Sequence, residues 1–142
     1  MSDTARQLVL GVFLLGLVGI GVELLLLGHD EDAVQLIPLM LAGLAVASVA
    51  HVGLSRGAAA VQGFRTVMSL FILSGVVGSA LHFRVNMEFQ REMDPALRGL
   101  ALAQKAIRAK APPALAPGAM IQLGLIGLVY TFKHPRLSGS RT

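Results

Sequence analysis

No cysteine and no tryptophan occur in the 142 residues. The missing cysteines exclude disulfides, thiolate metal sites, iron–sulfur clusters and a cysteine nucleophile. Charge is scarce as well, at 14% of residues, where a soluble domain carries about 25%. The G-x-S-x-G at residues 53–57 is no nucleophile elbow, because it closes an apolar run that reads as a helical span and no strand precedes it. The "GIG" at residues 19–21 is no phosphate loop, because no strand precedes it. The Glu-x-x-His pairs that di-iron bundles use are missing too. The net charge of +4 could suit nucleic acid. Basic ends meeting anionic headgroups produce the same balance, so lipid and not nucleic acid is the expected partner.

What is present is apolar, at 54% of residues gathered into runs. A helix crossing a bilayer needs about 20 such residues. Residues 8–28 form the first run, with Glu23 as its only charge. It exceeds the roughly 7–15 residues of a signal-peptide core and no A-x-A site follows, so it reads as an uncleaved span. Pro38 suits the first position of a second span over 38–54, since its missing N–H goes unpaired there. A third span starts at Phe64, stays in the bilayer to residue 83 and continues as helix to 93, before Asp94-Pro95. At about 1.5 Å per residue that helix outruns roughly 30 Å of hydrocarbon, so its end protrudes. Asp94 suits an N-cap and Pro95 the first turn of the next helix.

Residues 96–110 read as an amphipathic helix. Leu97, Leu100, Ile107 and Ala111 share a face, with Arg98, Lys105 and Arg108 beside it. A leucine stripe flanked by cations suits the headgroup region, and packing on the other loops is the alternative. "APPALAPG" then connects to a short fourth span over 117–132. The expected fold is all-α: an integral membrane four-helix bundle with a protruding third helix and an interfacial amphipathic helix before the fourth span. Arg6, Arg56, Arg65, Lys133, Arg136 and Arg141 gather at the end that holds both termini, which favours termini in the cytoplasm. Arg84, Arg91, Arg98, Lys105, Arg108 and Lys110 count against that orientation.

Glu23 poses the main question. Gly16, Gly19 and Glu23 follow i, i+3, i+7 spacing and share a helix face; Gly75, Gly78 and His82 repeat it in the third span. Small residues let helices approach closely in lipid. The repeat predicts that Glu23 and His82 face the bundle interior at similar depth. A charged group at the bilayer centre costs roughly 2.5–3.5 kcal/mol, so Glu23 needs a partner such as His82 or Arg84, or else a proton. The candidate roles are a polar contact that fixes helix register, a proton or cation relay, and a metal or cofactor site. Gly43, Ala47 and His51 form a weaker stripe in the second span, and Gly124, Gly127 and Thr131 another in the fourth. His51 and Thr131 would make a polar belt at the inner end.

Two acidic clusters are candidates for a cation site or vestibule. His29, Asp30, Glu31 and Asp32 offer oxygen ligands for a hard cation, but acids there also favour the positive end of the following helix. Arg84, Glu88, Arg91 and Glu92 share one helix face, where i, i+4 ion pairs compete with a metal site; Asn86 shares another face with His82. No two histidines meet at mid-depth in this topology, so bis-His haem is not expected and no cofactor is predicted beyond a metal cation.

The stretches "GVELLLLGHDED", "LHFRVNMEFQREMDPALRGL" and "APGAMIQLGLIGLVYTFKHP" together resemble an uncharacterised group of small bacterial four-span inner-membrane proteins. The resemblance implies a bacterial cytoplasmic membrane and four spans, and brings no activity, cofactor or binding residue. The expected function is non-enzymatic: an accessory subunit, or a scaffold that self-associates through small-residue faces such as Gly53-x3-Gly57 and Ser74-x3-Gly78. A proton- or cation-conducting protein using Glu23 and His82 is the alternative, and a metal-binding membrane enzyme the third.

Overall fold

The computed structural model describes residues 1–28, 33–109 and 115–138, and all regular structure among them is helical. Helix α1 covers Asp3–Leu26. It opens on Ser2, whose Oγ accepts the Ala5 N–H at 3.3 Å, with Asp3 at the positive end of the dipole. It closes at Gly28, whose φ of 66° is a backbone state glycine adopts without strain.

Helix α2 covers Ala33–Leu54 and starts upstream of the expected Pro38. Pro38 therefore lies inside the helix, where it withholds the N–H that the Val34 carbonyl would have received. The spacing argument failed because a proline marks a helix start only where nothing upstream can continue the helix. Here the preceding residues, "AVQLI", can.

Helix α3 covers Ala58–Met93, 36 residues or about 54 Å. Asp94 ends it with extended backbone, and its Oδ1 accepts the Ala96 N–H at 3.1 Å. It thus closes one helix and holds a turn, and does not open the next helix as expected. Helix α4 is shorter than expected, at Gly99–Ile107. It lies against the far part of α3, burying Leu102 and Ala106, while the Asn86 amide donates to the Ala106 carbonyl at 3.2 Å. Leu100 and Ile107 of the expected stripe stay exposed. Helix α5 covers Ala116–Tyr130, and a single turn, α6, covers Pro135–Ser138.

α1, α2 and α3 are each long and apolar enough to cross a membrane. α5 is equally apolar, but its 15 residues reach only about 22 Å. It sits between α1 and α3, and α3 in turn packs on α2; α1 and α2 touch only lightly. Glycine brings α5 close to α3. A methyl at Gly75 would come 2.5 Å from the Pro117 carbonyl oxygen, and one at Gly124 would come 2.7 Å from that of Met68. Phe13, Phe64, Met68 and Phe71 are fully enclosed at this junction.

Candidate functional site

The two ends of the helix assembly differ. One end gathers the start of α1, the α2–α3 turn and the close of α5, and it is tied shut. Arg6 is buried there, and its guanidinium donates to the Tyr130 and Lys133 carbonyls, both at 3.3 Å. These are carbonyls that the end of α5 cannot satisfy within the helix, so a cation fits there electrostatically as well as by hydrogen bonding. Arg136 does the same for α2, donating to the carbonyls of Val52 at 2.7 Å and Ser55 at 2.6 Å. Phe13, Phe64, Tyr130 and His134 form an edge-to-face chain beneath, with successive centroids 5.7, 5.6 and 6.0 Å apart.

His134 sits between the two arginines. It is 6% exposed, and its Nδ1 accepts the Arg136 backbone N–H at 3.3 Å, which makes it the neutral tautomer protonated at Nε2. Burial first, then the Arg6 and Arg136 charges, hold its pKa below the usual 6.5, with Asp3 pulling weakly the other way.

The other end is open among the described residues. A cleft of about 310 Å³ lies among α1, α2, α3 and α5, walled mainly by apolar groups such as Leu24, Pro38 and Met120. Among the described residues three polar side chains line it: Gln35, Ser74 and His82. The Gln35 Oε1 is buried and has no hydrogen-bond partner among the described residues. Ser74 and His82 stand eight residues apart on α3, about 12 Å along its axis, too far to act as a nucleophile and its base. What this arrangement can do is bind.

The expected Glu23–His82 pair does not form. His82 lines the cleft, whereas Glu23 is exposed on the outer side of α1, with no ion pair to the described residues. The large Leu24 takes the inward position at that level instead. Gly16 meets Leu123 of α5, but Gly19, one turn nearer Glu23, has open space around it. Gly75, Gly78, Gly124 and Gly127 all lie at the α3–α5 contact.

At the closed end His51 is exposed, and the buried Thr131 hydroxyl donates to Leu128 of its own helix at 2.8 Å, so the two do not meet. Arg84 and Glu88 form an exposed ion pair at 2.9 Å, and Glu92 is exposed beyond it. Exposed pairs of this kind contribute little. No three His, Asp or Glu side chains cluster as metal ligands among the described residues. The run His29–Asp32 lies outside the described residues.

No protein-family model, curated protein or solved structure matches the chain. The site is therefore read from its own chemistry. Gln35, Arg6, His134 and Arg136 are the residues that sequence reasoning missed as site groups. Cations just beyond an apolar helix, as in "YTFKHPR", were the available signal for the closed end, because they suit a helix C-terminus.

Proposed function

We propose that the chain is a non-enzymatic multi-pass protein of the bacterial cytoplasmic membrane that acts by self-association, as a scaffold or as a subunit of a larger membrane assembly. α1, α2 and α3 cross the bilayer and the shorter α5 makes a fourth crossing within the shelter of α1 and α3. Both termini lie on the cytoplasmic side, where Arg6, Arg56, Arg65, Lys133 and Arg136 gather. α4 lies at the opposite surface, its exposed Leu100 and Ile107 turned to the headgroup region.

The observation that carries the association reading is the outward position of Glu23 beside the open Gly19. An ionisable group facing lipid is costly, and a polar partner on another helix removes that cost. The space at Gly19 lets a second α1 approach closely enough to supply one. In a two-fold contact residue 23 meets residue 23, so each side chain finds a polar partner in its copy. Conduction through Glu23 and His82 is not favoured, because His82 on α3 lines the cleft while Glu23 is exposed on the side of α1 away from it.

The cysteine-free chain makes the test direct. Single cysteines at Leu15 and Leu26, on the Gly19 side of α1, should cross-link two copies in proteoliposomes, while one at Leu44 on α2 should not. Gly19→Ile should abolish the cross-links without unfolding the monomer. Monomers at every protein-to-lipid ratio would sink the proposal.

A further inference from the structure

The open cleft continues into a second cavity. A groove of about 300 Å³ between α2 and α3 shares Pro38, Ser74 and Gly78 with it, and runs on past Ile37, Leu41 and Leu70. From His82 to Leu70 the continuous path follows twelve residues of α3, about 18 Å. The upper part holds the three polar side chains; the lower part is apolar and its walls are partly exposed on the outside of the assembly.

We infer that this cleft and groove form a binding site for a neutral single-chain amphiphile with a hydroxyl head, such as a long-chain alcohol or isoprenoid alcohol. The head sits beside Gln35 and the tail lies along α2 and α3. Three observations define this ligand. The buried Gln35 Oε1 lacks a donor among the described residues, and an orphaned buried acceptor gains from any group that supplies one. A hydroxyl both donates and accepts, so it also serves the amide's N–H₂. Among the described residues no lysine or arginine lines either cavity, so an anionic head such as a phosphate or carboxylate finds no counter-charge from them. The groove, finally, is shaped for a chain and opens sideways to the lipid.

The tail provides little selectivity, because bilayer and groove are equally apolar. Selectivity comes from the head, and satisfying one orphaned acceptor changes occupancy by roughly 5- to 30-fold. The site is complete within one chain and does not depend on self-association.

The test uses the full chain in phosphatidylcholine nanodiscs with hexadecan-1-ol carrying a diazirine near its tail. After irradiation, labelled residues are mapped by peptide mass spectrometry. Labelling should concentrate on Ile37, Leu41 and Leu70, and unlabelled hexadecan-1-ol should compete while hexadecanoate does not. Gln35→Met keeps the volume but removes the amide, and should cut groove labelling at least fivefold. Ser74→Leu blocks the junction between the two cavities and should do the same, so a folding failure in one variant leaves the other decisive. Label spread equally over outward residues such as Leu15 would mean ordinary boundary lipid and would overturn the site. Groove labelling unchanged in both variants would overturn it equally, and effective competition by hexadecanoate would overturn the neutral head.

Discussion

Replacing Arg6 by methionine should loosen the closed end by an amount that the hydrogen bonds define. Arg6 donates to two carbonyls at the close of α5, both at 3.3 Å. Bonds with a charged donor contribute about 1.5–3 kcal/mol each, and at this length the lower figure applies. The cation at a helix C-terminus adds about 0.3–1 kcal/mol. Against this, methionine fills the space of the arginine stem and spares the cost of holding a charge out of water. The ion pair to Asp3 hardly counts, because the Asp3 side chain is 91% exposed. The net loss is about 2–3 kcal/mol, or roughly 5–10 °C in the unfolding midpoint of a chain this size. Arg6→Lys should recover part of it, since an ammonium keeps the charge without the fork that bridges both carbonyls. Thermal unfolding in a mild detergent measures this, and histidine NMR supplies a second readout. With one of its two flanking cations gone, His134 should titrate at higher pH than in the wild type. An Arg6→Met midpoint within about 1 °C of wild type, with His134 unmoved, would refute the keystone role assigned to Arg6.

His134 makes stability depend on pH. Its folded pKa lies below 6.5, so as pH falls through that value the unfolded chain takes up a proton first. Stability should be full above about pH 6.5, fall as the pH drops towards the folded pKa and then level off, and His134→Gln should flatten that part of the profile. At the α3–α5 contact, Gly124→Ala places a methyl against the Met68 backbone oxygen and should cost about 1–3 kcal/mol by overpacking. Gly43→Ala, where nothing lies within 4 Å, should instead stabilise by up to about 1 kcal/mol through helix propensity. Equal effects of the two changes in a detergent melt would remove the case for close α3–α5 packing.

The helical elements were legible because apolar runs and breakers are local. The runs around α1, α2 and α3 are long, and Asp94-Pro95 ends α3 where expected. The inward sides were less legible. Spacing shows which residues share a face, as Gly16, Gly19 and Glu23 do, but not how far round the helix its neighbour reaches. α5 settles on α1 so that Gly16 and Leu24 face inward, which leaves Gly19 open and turns Glu23 out. The closed end was hidden for a different reason. Arg6 and Tyr130 lie 124 residues apart, and no local pattern links them. Gln35 was hidden by its neighbours, since a glutamine at the edge of an acidic break reads as loop until the helix is found to begin before it.

That long-range link has a consequence in time. α1 leaves the ribosome before α5, yet α5 is its principal neighbour. At about 5–20 residues per second, the 124 residues between Arg6 and Tyr130 take roughly 6–25 s to synthesise. Throughout that interval α1 has neither its packing surface nor the carbonyls that hold its arginine. A nascent chain that stops before α5 is therefore left with an α1 that has neither its packing partner nor its hydrogen-bond acceptors.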